Sequence, residues 1–468
     1  MPTIIPIQYC HNSADLFERI RDLPYSCWLD SGKPNSSMGR YDIMTARPAK
    51  RFSTQGQYTR EYQYNPQEQH EQLIRISDED PYQLVETAVT SLSPPLHSEL
   101  PFIGGALGYF AYDLGRRHIV VPTTTENTCD LPDMHMGIYH WAIVQDHVQQ
   151  QSWLAYLPQC SQQLLATIQQ RLTHLNDVHT SKPTPAPFSM GPLTDNITRD
   201  EYTRALSTID DYIHAGDCYQ VNFAHCFSAR YQGDPYTAYL RLRDTMASPY
   251  CAFMQLGNQA VLSLSPERFI RINGQQILTQ PIKGTAPRGA TPVEDQQLAE
   301  ALLNSEKNRA ENLMIVDLMR NDLGKSCTPG SITVSTLFSL ESFPNVHHLV
   351  SSISGSIAPH HSSIDAFKGC FPGGSITGAP KKRAMEIIEE LEVCRRSVYC
   401  GSIGYINSNG ELDTNIAIRT VVCDGSTLHC WGGGGIVADS NSDDEYQESL
   451  TKVDRILTTL KQFQTLKR

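Results

Sequence analysis

Five segments in the second half of this 468-residue chain carry side chains that could do chemistry together. Ser265-Pro266-Glu267-Arg268 sets a carboxylate at the end of an apolar run that reads as a strand. The stretch from Pro281 to Gly289 (PIKGTAPRG) sets Lys283 in a turn rich in glycine and proline. Arg309-Ala310-Glu311-Asn312 puts a carboxylate in the middle of a helix. The stretch FPGGSITGAPKK, from Phe371 to Lys382, is a flexible, hydroxyl-bearing entry to a helix N-terminus, where free backbone N–H groups cradle anions. Glu445, Glu448 and Lys452 stand at i, i+3 and i+7 and share one helical face. Basic groups suit an anion and carboxylates suit a divalent cation, so the set points to a carboxylate substrate chelated to Mg²⁺. Singly, each has a plainer reading. A Glu/Glu/Lys face is commonly a solvated surface, a glycine run a tight turn, and Lys283 an exposed turn residue.

Other chemistries find no support. Gly324-Lys325-Ser326 resembles the end of a phosphate loop, but Met319 stands where its first glycine is required. No G-x-G-x-x-G follows a strand, and Trp431 followed by Gly432 to Gly435 has the wrong spacing for a dinucleotide. No G-x-S-x-G elbow and no H-E-x-x-H occur, and the adjacent His347 and His348 point in different directions. The 13 cysteines contain no C-x-x-C pair, so neither a zinc ribbon nor a redox dithiol is expected.

The elements that must position these groups are legible in part. Thr198 and Glu201 form a T-x-x-E capping box ahead of Tyr202, Ala205, Leu206, Ile209, Tyr212 and Ile213, an amphipathic helix. Gln296 to Leu323 reads as one long helix ended by Gly324. Pro380 opens a helix with Ala384, Ile387, Ile388 and Leu391 on one stripe. Residues 415–422 and 426–431 read as a hairpin turning at Asp424-Gly425. Upstream, residues 106–112 and 138–144 read as strands, and residues 161–175 as a helix with Leu164, Leu165, Ile168 and Leu172 inward. A Pro/Ser/Thr-rich stretch at 176–196 reads as a linker between an N-terminal domain, 1–175, and a catalytic domain, 197–460. A net charge of −12 disfavours nucleic acid and anionic membranes as partners. The first residues lack a signal-peptide pattern, and no apolar run nears the roughly 18 residues that span a bilayer. A reduced, cytoplasmic protein is expected.

The segments PIKGTAPRG, DLMRNDLG, FPGGSITGAPKKRAMEIIEELE, YCGSIGY, NIAIRT and GGGIVADSNSDDEYQESLTK closely resemble the chorismate-utilising enzymes. The likeness runs strongly from about Thr198 to Leu457, and more weakly through Trp28 to Gly32, Arg40 to Asp42 and Gly104 to Tyr109. It implies an α/β (α+β) fold of two packed antiparallel β-sheets flanked by helices, like that of the large subunit of anthranilate synthase. Two positions choose among members. Anthranilate synthases typically read P-I-A-G-T where this chain has Lys283, the version typical of members that aminate chorismate at C4. Isochorismate and salicylate synthases carry a water-activating lysine where this chain has Gln220, which cannot deprotonate water.

Carried over residue by residue, the resemblance assigns Glu311 and Glu448 to Mg²⁺, with Glu445 supporting that site from one turn away. Arg419, Tyr399, Lys452 and the backbone at Gly433, Gly434 and Gly435 would hold the enolpyruvyl carboxylate. Ser375, Gly284 and Thr285 would orient the ring, and His348 would lie near the departing hydroxyl. Glu267 would be the general acid and Lys283 the nucleophile, its amine made neutral by Mg²⁺, Arg419 and partial desolvation. The chain lacks the G-x-C-x-G elbow of a glutaminase, so ammonia is expected from a separate amidotransferase subunit. Ser31, Tyr41, Pro249 and Tyr250 match the surroundings of the tryptophan pocket of anthranilate synthases, which implies a structural or regulatory ligand there. The runner-up activity is amination at C2 with loss of pyruvate.

Overall fold

The computed structural model describes residues 2–34, 36, 39–65, 70–92, 98–173, 187–342 and 346–465. Every strand pairing within its two large sheets is antiparallel. The first sheet runs, in hydrogen-bonding order, through Thr3–Ile7, Gln151–Tyr156, Trp141–Asp146, Tyr41–Thr45 and Cys27–Asp30. It continues through Tyr250–Leu256, Gln259–Ser265, Thr420–Cys423, Thr427–Ile436 and the long strand Gln220–Gln232. The second runs from Ile282–Pro287 through Val346–Ser356, Gln276–Thr279, Arg268–Asn273, Leu412–Asn415 and Ser402–Asn407. It ends with Gly105–Phe110, Met134–Tyr139, Lys50–Gln55, Tyr58–Asn65 and His70–Ser77.

Each sheet therefore takes strands from both sides of the expected linker, so the division at 1–175 and 197–460 does not correspond to two separate sheets. Residues 176–186 of that linker lie outside the described residues. Its far end is strand: Ser189–Met190 and Thr194–Asp195 pair with Gln220–Gln232.

Alternation along the strands builds three cores. On Gln220–Gln232, Val221 and Phe223 face the helices Arg199–His214 and Lys381–Leu391, while Ala224 and Cys226 face the other sheet. Between the sheets lie Met254, Val261, Val422 and Trp431 of the first, against Tyr109, Met136, Ile270 and Ile403 of the second. The outer face of the first sheet (Trp28, Trp141, Leu262, Val421) packs under Gln162–Thr173, Pro235–Met246 and Ser442–Lys461.

The capping box at Thr198 and Glu201 closes in both directions, as its spacing requires. The helix read as continuous from Gln296 is broken. Pro292–Asn304 stops at Ser305, whose extended backbone and side chain cap a new helix, Glu306–Gly324, by accepting from the Asn308 N–H. The expected hairpin is also shorter: residues 416–419 leave the ladder, and the Asp424 N–H bonds Thr427 O across Gly425-Ser426. All thirteen cysteines are free thiols, twelve of them buried.

Candidate active site

The chain passes from one sheet to the other twice near one point, and both crossings carry a predicted site residue. Gln259–Ser265 belongs to the first sheet and Arg268–Asn273 to the second, with Glu267 between them. Leu412–Asn415 and Thr420–Cys423 bracket Arg419 in the same way. The crossings are tied together: Ser265 Oγ donates to Ile416 O (2.6 Å), and the Ile416 N–H donates to Glu267 O (3.0 Å). Arg419 takes a left-handed backbone (φ 51°), and Arg455 and Glu267 are charged neighbours of its guanidinium.

Lys283 lies on an edge strand rather than in a turn. Ile282 pairs with Val350 and Thr285 with His348, so one extra residue is accommodated at Lys283-Gly284. Such a bulge re-aims side chains, and Gly284 (φ 87°) supplies the backbone it needs. The side-chain nitrogen then sits against the glycine strand: a Cβ placed at Gly435 would lie 3.3 Å from Lys283 Nζ and 3.0 Å from Gln220 Nε2. A Cβ at Gly434 would lie 3.3 Å from Glu445 Oε2, 3.7 Å from Lys452 Nζ and 3.9 Å from Glu448 Oε1. Lys452 donates to Glu448 Oε1 (2.7 Å) and to Gly433 O (3.1 Å), which ties this helical face to the glycine strand; Glu445 is buried there, while Lys452 and Glu448 stay exposed. The bare strand at residues 432–435 is what allows three elements to meet.

The electrostatics set two groups apart. Burial raises the Glu267 carboxyl to about 7, against the opposing pull of Lys283, the Ser375 hydroxyl, the Ile282 N–H and Arg419. Burial, then the neighbouring Lys452 ammonium, lowers the Lys283 amine, while Glu311, Glu267 and Glu448 pull it back up. The cation that depresses it is thus Lys452, not the expected Arg419. Burial lowers His348 to about 4, helped by Arg419, so its imidazole is neutral near pH 7. His348 Nδ1 meets Thr285 Oγ1 at 2.9 Å, whereas His347 turns away to Asp295 and Ser342.

The segment 371–378 is buried throughout, not a flexible entry. Lys381 and Lys325 share Asp322 and donate to Cys370 O and Gly369 O, anchoring its start. Ser375 Oγ donates to Glu267 Oε1 (3.3 Å), so its hydroxyl serves the acid. Tyr399 is buried and stacks on Trp431 (5.8 Å, 8° between planes), with Cys400 and Arg396 as its charged or polar neighbours.

Among the described residues no group of three or more His, Cys, Asp or Glu is gathered closely enough to hold a metal ion. Glu445 and Glu448 face Gly434, with Glu445 Oε1 accepting from Ser440 Oγ (2.7 Å), and Glu311 bears on Lys283 from the helix Glu306–Gly324. Away from this cluster, Ser31, Tyr41, Pro249 and Tyr250 line one cavity of about 410 Å³ between the sheets. Pro266 and Ile282, the neighbours of Glu267 and Lys283, form part of its wall.

Of two inward-facing amides, the sequence reading named Gln220 only for its inability to deprotonate water and overlooked Asn222. Gln220 is 1% exposed, and neither its Oε1 nor its Nε2 has a described partner; the Oδ1 of Asn222 is likewise unpaired. Both point to the inner face of their strand, and their i, i+2 spacing in Y-Q-V-N was the available signal.

Fold and cluster together fit one class of protein. Residues 25–458 match the model of the chorismate binding enzymes, and the chain belongs to that family. It is 43% identical over 464 residues to the aminodeoxychorismate synthase component 1 of Salmonella typhimurium, covering 98% of both chains. It is 42% identical over 471 residues to the Escherichia coli protein of the same name, again covering 98% of each. Among solved structures, anthranilate synthase component I from Streptococcus pneumoniae superposes with a TM-score of 0.79 at 30% identity, over 90% of this chain and 92% of that one.

Proposed function

We propose that this protein is the chorismate-aminating component of an aminodeoxychorismate synthase, making 4-amino-4-deoxychorismate from chorismate and ammonia in the route to para-aminobenzoate and folate. The observation that carries the reading is the convergence of Lys283, Glu445, Glu448 and Lys452 on the bare strand at residues 432–435, with the buried Glu267 held by Ser375; burial lowers the lysine and raises the acid there. Lys283 Nζ attacks C2 of chorismate. The ring double bonds shift, and the C4 hydroxyl leaves as water on taking the Glu267 proton. Ammonia then attacks C4, the double bonds shift back, and the C2–N bond breaks to return the lysine with the original stereochemistry at C4. Ser375 holds the Glu267 carboxyl, and neutral His348, braced by Thr285, positions the departing hydroxyl. Arg419, Tyr399, Lys452 and the Gly433–Gly435 backbone take the enolpyruvyl carboxylate.

Mg²⁺ is the proposed metal, held by Glu311 and Glu448 with Glu445 steadying the helix face. Two carboxylates, completed by substrate oxygen and water, are the donor set this ion prefers. When bound it would neutralise charge on the ring carboxylate. Ammonia comes from a separate glutamine amidotransferase subunit, and the setting is cytoplasmic. The cavity at Ser31, Tyr41, Pro249 and Tyr250 is the proposed tryptophan pocket.

Anthranilate synthesis, the activity named for the streptococcal neighbour, would require ammonia at C2, the carbon Lys283 is proposed to occupy. Mass spectrometry of products from chorismate, Mg²⁺ and ammonium at alkaline pH separates the two. Aminodeoxychorismate without pyruvate supports the proposal; anthranilate with pyruvate overturns it.

A further inference from the structure

Arg396 is 1% exposed, in a sheet-edge gap that no strand among the described residues fills. The strand Gln220–Gln232 pairs on that edge with Gly378–Ala379 at Gln220 and Val221, and with Thr194–Asp195 at Phe227 and Ser228. The Asn222 N–H reaches Thr377 O (2.8 Å) and the Cys226 N–H reaches Asn196 Oδ1 (2.9 Å), which leaves Asn222 O and the Ala224 N–H without a backbone partner. Two side chains take the place of the missing strand. Arg396 Nη2 donates to Asn222 O (2.6 Å), and Glu392 Oε1 accepts from the Ala224 N–H (2.9 Å). The two are joined by Arg396 Nη2 to Glu392 Oε1 (2.6 Å) and Nε to Oε2 (3.0 Å). The remaining nitrogen, Nη1, donates to Ile376 O (2.7 Å), the carbonyl next to Ser375. The guanidinium also lies over the Tyr112 ring, 4.7 Å from its centroid.

One planar cation therefore bridges the turn Gly374–Ile376, whose Ser375 hydroxyl meets Glu267, and the strand Gln220–Gln232, whose Gln220 amide lies beside Gly435 as the Lys283 amine does. We propose that Arg396, with Glu392, is a positioning residue for the reaction, setting the distance between the turn whose Ser375 holds the acid and the strand that lies beside the amine. The proposal rests on the proposed chorismate amination. A fork is needed because three acceptors on three different segments must be met at once. Lysine could keep the ion pair with Glu392 but could not reach both carbonyls.

The test compares the full chain with Arg396→Lys and with the double variant Arg396→Met/Glu392→Met, which leaves no uncompensated buried charge. Each is assayed with chorismate, Mg²⁺ and ammonium, and its thermal midpoint is measured. The expected result is a kcat lowered tenfold or more in a variant that still melts cooperatively, with KM changed less than about threefold, as for a displaced catalytic group. A second readout is the alkaline limb of the pH profile. Glu267 faces Lys283, Arg419, the Ser375 hydroxyl and the Ile282 N–H. Loss of the Ser375 donor raises its pKa, so the limb should move to higher pH. A purely structural role would lower the melting midpoint and leave both kcat and the limb in place. Folded Arg396→Lys with parental kcat and limb overturns the proposal, and so does the same behaviour in the double variant. If the unaltered protein does not turn over chorismate, it is the functional reading that fails.

Discussion

Glu267 and Lys283 show how burial, joined at the lysine by the Lys452 charge, moves two titratable groups in opposite directions. The carboxyl is raised to about 7 and the amine is lowered from its ordinary value, the directions that the proposed acid and nucleophile require. The signs give the pH profile. A general acid must be protonated, so activity should fall as pH rises through about 7. The lysine must be neutral, so activity should climb as pH rises through its lowered pKa. Glu267→Gln should remove the alkaline limb and cost about 10²- to 10⁴-fold in kcat, read from kcat against pH; an unchanged limb would assign it to another group. Lys283→Ala should lose activity on a similar scale and remove a chorismate-dependent mass shift of the intact protein; full turnover in that variant would exclude the covalent step. Burial also makes Glu267 a stability liability. Its folded pKa lies above its unfolded one, so its contribution is present below about pH 4.5 and declines as pH rises toward about 7.

At the scale of elements, the site depends on a strand without side chains and a strand with one residue too many. Residues 432–435 let the helix Ser442–Lys461 and the bulged strand Ile282–Pro287 approach the same backbone. Gly435→Ala should therefore lower activity more than stability. The added methyl must move Gln220 or Lys283, whose atoms lie 3.0 and 3.3 Å from it, yet the strand itself can keep its ladder to Asn222. Kinetics and a melting curve on the same sample test this; parental kcat would show that the lysine has room. Motif, periodicity and capping residues made most of these elements legible. The break at Ser305 was not, because Ser305 interrupts an apolar stripe that continues on either side. Nor was the bulge, because Pro281 and Gly284 signal a turn as readily as a bent edge strand.

The whole molecule is one pair of sheets into which both parts of the chain are woven. Cys27–Asp30 pairs with Tyr250–Leu256, and Gly105–Phe110 pairs with Ser402–Asn407. Fragments ending and starting in the 174–186 stretch should fail to fold alone, since each would leave long sheet edges unpaired. Co-expression should restore a soluble complex with chorismate-dependent activity; two independently soluble, cooperatively melting fragments would mean that the sheets are separable. The cavity between the sheets belongs to the same scale. Tryptophan should raise the melting midpoint of the whole chain through contacts near Ser31 and Tyr250, and the absence of any shift at millimolar ligand would remove that assignment.

Long ordered segments such as PIKGTAPRG and FPGGSITGAPKK determined the family, the mixed fold and the roster of candidate residues by themselves, because each packs several constrained residue types into a short span. Local physics likewise determined the capped helices, whose signals lie within four residues of one another. What the tertiary structure decided was proximity between segments distant in sequence. It alone showed that Lys452 is the cation beside Lys283, that Ser375 serves Glu267, and that Arg396 and Glu392 complete a sheet edge 170 or so residues away. A charged pair in R-R-S and E-L-E looks like any solvated helix end until burial removes the water, and burial is a property of the whole fold.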